Sequence, residues 1–404
     1  MKSAVRYIVL IFAVISVVAV LSVWKKHDRE AAIQELENRY DADVTVGDDD
    51  FHIGCSSELL VDLVDFASVV NRVGEPSILD LTGAPNLESF SGFEILGSVK
   101  SLIAIDCPKL VSAKGVMGHP GLEELVLTDS ANFRDASEVR DMRSVLTLDF
   151  SGCREMESFE ISRLPLLENL YLSRCRKIKA IDLTQLSGLR QLYLDGCSNL
   201  ESIEGLDQQT KLTDLDVSNA TTLQRLDGIE KLAGLIVLDM RNVDISDYGG
   251  IGKLPSLRVL RMGGQDSIET LEVFSGLNEL REIHLEACPN FRSIKGIPAS
   301  VSQYAGFTHC PKLTSLSGIG ASKNLEQLDL TGCRNLVDVI ELSQLENLVQ
   351  LSLVKCRQVT DITPVKELEK LVIVMLGGSG VIPASIEDLE TANKDIIFDF
   401  AVGE

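Results

Sequence analysis

The stretches "LRQLYLDGCSNL" (Leu189–Leu200) and "LEQLDLTGCRNL" (Leu325–Leu336) place leucines and a cysteine at identical offsets. Leu189, Leu192, Leu194, Cys197 and Leu200 of the first recur as Leu325, Leu328, Leu330, Cys333 and Leu336 of the second. The shared pattern is L-x-x-L-x-L-x-x-C-x-L. Working outward, Cys107, Cys153, Cys175, Cys197, Cys288, Cys310, Cys333 and Cys356 all stand in one register. Ala84, Ser130, Ala220, Val243, Gln265 and Ser379 fill its gaps, so the spacing never leaves 22 or 23 residues over fourteen copies. A period sustained this long specifies a repeat architecture.

Leu192 and Leu194 alternate at period two, so both point to one face of a short strand. A single copy cannot bury that face, but stacked copies bury it against one another. Fourteen parallel strands at ~4.8 Å would make a sheet roughly 65 Å along. The return segments, such as "IEGLDQQTKL" and "LTQLSGL", are too short for long helices, and 3₁₀ turns or irregular loops are expected there. The expected fold is an α/β solenoid: a parallel concave β-sheet, a mostly 3₁₀ or irregular convex side, and an N-terminal helical cap.

Over residues 76–385 the repeats resemble the leucine-rich repeat family. "QVTDITPVKELEKL" resembles the short bacterial internalin-type repeat, and "LTGCRNLVDV" resembles the Cys-bearing repeats of plant resistance receptors. The layout resembles membrane-anchored bacterial members. The resemblance implies a horseshoe that binds proteins or peptides on its concave sheet. It also implies that the ladder position, usually Asn or Cys, satisfies backbone groups of the turn. No sortase motif, kinase, nucleotide-binding module or ubiquitin-ligase domain accompanies it. Eight of the nine cysteines are thereby explained as buried packing groups, and no C-x-x-C metal spacing occurs. Cys55 lies outside the ladder and reads as a buried capping residue or a free thiol.

Net charge is -22, with 60 acids against 38 bases. So acidic a surface repels phosphate backbones, which argues against a nucleic-acid partner. Tyr7–Trp24, "YIVLIFAVISVVAVLSVW", is an uncharged apolar run flanked by Lys2, Arg6, Lys25 and Lys26. It reads as an uncleaved single-pass anchor over 1–27, with a cleaved signal peptide as the alternative. The repeat body is then expected outside the cytoplasmic membrane, with the cytoplasmic side possible.

Residues 28–75 read as linker and cap. "DREAAIQELENRY" is an expected helix with Ala31, Ile33, Leu36 and Tyr40 on one side, and "DADVTVGDDDFHI" a strand pair. "SSELLVDLVDFASVVNRV" is an expected helix with Ser56 or Ser57 as N-cap and Leu60, Leu63, Val64 and Val69 inward. Residues 386–404 would close the other end with Ile396, Ile397, Phe398 and Phe400. Asp48–Asp50 lacks calcium-loop spacing and reads as a solvated turn.

The residue between the two strand leucines points out of the sheet, once per repeat. That row and its neighbours give a candidate partner-binding strip of Tyr171, Tyr193, Asp216, Asp239, Arg241, Arg261, His284 and Tyr304. Tyr and Arg are the side chains that most often anchor interfaces. The ladder fails at Val243 and Gln265 beside this strip, where Gly249, Gly250, Gly252, Gly263 and Gly264 cluster. The ordinary solvated face of a solenoid would also present such a mixture. His27, His52, His119, His284 and His309 are scattered, and no nucleophile, phosphate loop or H-E-x-x-H accompanies them. The chain is therefore read as non-enzymatic, without metal or cofactor. It is either an anchored recognition module for a protein or peptide, or a structural scaffold independent of the strip.

Overall fold

The computed structural model describes residues 25–46, 51–159, 161–393 and 395–401. They form two compact units, one of the described residues up to 156 with 161–167, and the other of residues 157–159 with the described residues from 168 on. In the first unit helix α1 spans 25–40. Strands β1 (Asp43–Val46) and β2 (Phe51–Gly54) pair antiparallel, as the strand-pair reading expects. Parallel strands β3 (Ile78–Asp80), β4 (Ser101–Ile103), β5 (Glu124–Val126) and β6 (Thr147–Asp149) continue from β2.

In the second unit, β7 (Asn169–Tyr171), β9 (Gln191–Tyr193), β11 (Asp214–Asp216), β12 (Val237–Arg241), β13 (Val259–Gly263), β14 (Glu282–Glu286) and β15 (Tyr304–Thr308) pair parallel in succession. Strands β16 (Gln327–Asp329), β17 (Gln350–Ser352), β18 (Ile373–Met375) and β19 (Ile397–Asp399) follow in the same sheet. The short β8 (Ala180–Asp182) and β10 (Ser202–Glu204) pair separately on a return segment. Several other returns carry 3₁₀ turns, such as Ile229–Lys231 and Ile319–Ala321, and the rest are irregular turns. Helix α2 (Val64–Val73) belongs to the first unit and α3 (Pro383–Ala392) to the second.

The register comes from burial. Leu192, Leu215, Leu238 and Leu260 align across β9 to β13 and are all buried, while their strand neighbours, apart from the buried Asp239, are partly exposed. The residue before each of the fourteen ladder positions has positive φ, from Gly83 through Asp106, Asn219 and Ala287 to Gly378. There the chain turns inward and places the ladder side chain under the preceding repeat. Cys107 Sγ donates to Leu81 O (3.2 Å), Cys197 Sγ to Leu172 O (3.0 Å) and Cys333 Sγ to Phe307 O (2.8 Å). Ser130 Oγ makes the same bond to Ala104 O at 2.9 Å. Each is a small uncharged donor that satisfies a buried carbonyl, which is why the position tolerates Cys and Ser.

Gln265 corrects the expectation that the ladder fails there. Its Nε2 reaches Met240 O (2.8 Å) and Val243 O (3.2 Å), while its Oε1 accepts Cys288 Sγ. The longer side chain does the work of a cysteine and also covers the turn at Val243, which has no side-chain donor. All nine cysteines are free and buried, and Cys55 donates to Tyr40 O at 3.3 Å.

The positive-φ row gives a direct test of the turn. Ala287 holds φ at 51° with an exposed side chain, a conformation that costs an L-residue about 1 kcal/mol. Ala287→Gly should therefore stabilise the protein by roughly 0.5–1 kcal/mol, read as a higher urea midpoint at unchanged slope. A lower midpoint would mean that the turn is not under that strain.

In the cap, α1 buries Leu36 and Tyr40 as expected, with Ala32 buried in place of the exposed Ala31 and Ile33 partly exposed. Tyr40 meets Phe66 of α2 edge-on at 5.1 Å, and Arg72 of α2 bonds Asp28 (3.0 Å) and Glu35 (2.8 Å) of α1. Helix α2 starts at Val64 with Leu63, not Ser56 or Ser57, at its N-cap, and Asp62 Oδ1 accepts the Val64 amide. Val64 thus faces solvent, while Leu60, Leu63 and Val69 are buried. At the other end β19 adds to β18 as the covering strand, with Ile397 and Phe400 nonetheless exposed.

No helix among the described residues is long and apolar enough to cross a membrane. This corrects the single-pass membrane reading and the extracytoplasmic placement built on it. The expected span Tyr7–Trp24 lies outside the described residues, and α1, which follows it, is a charged helix buried along one stripe only. Asp48–Asp50 also lies outside them.

Candidate functional site

The eight residues of the strip fall on seven successive strands of the second unit. Tyr171 aligns with Tyr193, Tyr193 with Asp216, Asp216 with Asp239, Asp239 with Arg261 and Arg261 with His284. Arg241 lies on the neighbouring outward row, aligned with Gly263 and then Glu286. Tyr304 lies on the row on the other side, aligned with Glu282 rather than with His284. The opposite side of each strand is the buried leucine row, so alternation alone brings these side chains to one surface.

Two clusters stand out. In the first, the Tyr171 and Tyr193 rings lie 5.3 Å apart at 41°, and Tyr171 Oη donates to Gln191 Oε1. Burial, and next the Asp214 carboxylate, push the Tyr193 hydroxyl above its ordinary pKa. In the second, the His284 and Tyr304 rings stack at 4.4 Å and 22°. Gly306, on the strand of Tyr304, makes this possible: a Cβ there would stand 2.6 Å from Tyr304 Oη, so the ring lies over bare backbone. His284 Nε2 sits 3.3 Å from Glu282 Oε2, yet burial pulls the imidazole below its ordinary pKa, so it is neutral at physiological pH.

Between the clusters the charges are unevenly matched. Arg241 grips Asp239 with Nε to Oδ1 at 3.0 Å and Nη2 to Oδ2 at 2.7 Å, and Asp239 is buried beneath it. Arg261, the aligned neighbour of Asp239, is half-buried and makes no hydrogen bond or ion pair among the described residues. Asp239 is already committed, and His284 on the other side is neutral. Asp216 Oδ1 accepts the Ser218 amide, and its carboxyl is pushed above the ordinary range by burial, partly offset by Ser218, with Asp239 and Asp195 adding to the rise.

Asp214 was not among the expected residues. It has the same strand parity as Asp216 and faces outward beside Gln191, which the alternation rule could have shown. Among the described residues no group of three or more His, Cys, Asp or Glu is arranged to hold a metal ion.

No protein-family model matches this chain, and no curated protein matches it. Among solved structures, a leucine-rich repeat protein of Leptospira interrogans superposes with a TM-score of 0.59, at 19% identity, over 82% of this chain and 80% of its own. An internalin of Listeria monocytogenes covers 80% of this chain and 79% of its own at 14% identity and a TM-score of 0.39. The functional domain of another Listeria monocytogenes internalin covers 80% and 66%, at 14% identity and a TM-score of 0.48. With its leucine rows buried in register under short parallel strands and its returns made of 3₁₀ and irregular turns, this chain has the leucine-rich repeat fold.

Proposed function

We propose that this protein is a non-enzymatic recognition module that binds a protein or peptide segment on the outward strand face of its second unit. The observation that carries the reading is Arg261. A half-buried guanidinium with five donors and no partner among the described residues is an incomplete arrangement that a ligand acceptor would complete. Tyr193 on one side and the His284–Tyr304 stack on the other supply large, rigid contact area at little entropic cost.

The test is a random peptide library selected on the immobilised protein, followed by titration of the enriched peptides. Tyr193→Ala and Arg261→Ala should each weaken binding roughly tenfold or more, with an unchanged melting curve. Undiminished binding to the double variant would place recognition elsewhere. The scaffold reading draws on a different observation, the exposed Ile397 and Phe400 beside the open edge of β19. It would be favoured by concentration-dependent assembly that both substitutions leave intact.

A further inference from the structure

We infer that the bound segment carries two opposite charges in a fixed order along the strip: a lysine or arginine over the Tyr171–Tyr193 pair, and a carboxylate at Arg261. This inference rests on the recognition reading above and names the chemistry of the partner.

The basic end follows from the first cluster. Tyr193 has Asp216 as its aligned neighbour on β11, and Asp214 stands two residues earlier on the same face. Asp214 Oδ2 accepts the Thr213 hydroxyl at 2.6 Å and Asp216 Oδ1 accepts the Ser218 amide at 2.8 Å. Neither forms an ion pair among the described residues, and Arg241, two strands from Tyr193, is held by Asp239. Two tyrosine faces beside two carboxylates that no ion pair engages, with only the field of Arg241 reaching Asp216, fit a cation, which gains from the ring quadrupoles and the charges together. An acidic or purely apolar side chain would leave those carboxylates desolvated and unpaired.

The acidic end follows from Arg261, whose planar fork matches a carboxylate bidentately. The two ends lie three strands apart, from β9 to β13, or roughly 14 Å at the usual interstrand spacing. An extended segment running across the strands covers that in about four residues. The partner chemistry is thus a basic residue and an acidic residue about four positions apart in an extended stretch. Because neither end alone is deeply buried, affinity should fall as salt is raised.

The experiment uses the full chain and a random twelve-residue display library. The expected result is enrichment of peptides pairing Lys or Arg with Asp or Glu at that separation. Selection on Asp214→Asn should lose the basic preference and keep the acidic one, and selection on Arg261→Ala should do the reverse. Titrated singly, each substitution should weaken a wild-type-selected peptide roughly tenfold. Enriched peptides without a basic residue, or a basic preference that survives Asp214→Asn, would overturn this inference while leaving the recognition reading standing. Peptides that bind the Tyr193→Ala/Arg261→Ala double variant equally well would overturn the recognition reading itself. An empty selection would count against both.

Discussion

Cys197→Asp should cost several kcal/mol of stability at neutral pH, whereas Cys197→Ser should cost no more than about 1 kcal/mol. The native thiol is fully buried and donates to Leu172 O at 3.0 Å, while its own amide bonds Leu194 O. Burial pushes its pKa up to about 12, so it keeps its proton and serves as a donor throughout the physiological range. Serine keeps a donor of nearly the same size, and the molecule already uses one: Ser130 Oγ bonds Ala104 O in the equivalent place. Ionised aspartate has no proton to offer. It would set a carboxylate against a carbonyl oxygen in a closed site, and an uncompensated buried charge costs about 3–5 kcal/mol. That is a large part of the ~5–15 kcal/mol that holds a typical domain together.

The pH dependence has a definite sign. The introduced carboxyl would have a folded pKa raised above its unfolded value. Its penalty is therefore fully developed above the folded pKa and shrinks as pH falls toward the unfolded one. Protonated, the acid regains an O–H that can bond Leu172 O. Urea midpoints at about pH 5 and about pH 8 should thus draw the variant toward the parent at the lower pH. Equal midpoints for the Asp variant and the parent at both values would mean that the ladder side chain is not the donor the geometry describes.

How much of this was legible without coordinates depends on whether a residue's role is set by period or by reach. The leucine rows, the ladder cysteines and the outward row follow from alternation and spacing, and each lies where those rules place it. Gln265 was misread because spacing shows only that the ladder residue changes. That the longer amide still reaches Met240 O, and spans the gap at Val243, is a matter of side-chain length. The same limit hid the pairing of Arg241 with Asp239. Two outward residues two apart on one strand look like two free charges, whereas folding makes them one neutral unit and leaves Arg261 alone. Tyr304 belongs to the strip by sequence, but nothing in its own position reveals that Gly306 leaves room for its ring to stack on His284 over the backbone. In the cap, hydrophobicity gave the helices, but α2 begins at Val64, past both serines, where Asp62 accepts the Val64 amide, a local bond that a serine-cap rule does not show.

Leu330→Ala should destabilise the protein by about 2–5 kcal/mol, while Val337→Ala in the same repeat should stay within about 0.5 kcal/mol. Both remove apolar carbons, so hydrophobicity alone would not separate them. Leu330 is fully buried, its amide bonds Ser352 O at 2.9 Å, and its carbonyl accepts Cys356 Sγ at 3.0 Å. Those bonds hold the backbone in place, so the repeats above and below cannot collapse into the void, and the cavity term adds to the lost transfer energy. Val337 is 60% exposed and leaves no cavity. Because each repeat touches chiefly its neighbours, the loss should also be local. Hydrogen exchange of the Leu330→Ala variant should show the amides of β16 to β18 opening first, with those of β9 and β11 closest to parental protection. A uniform loss of protection across the second unit would mean that it unfolds as one cooperative block, and a loss below about 0.5 kcal/mol would mean that the leucine row is not what holds the repeats together.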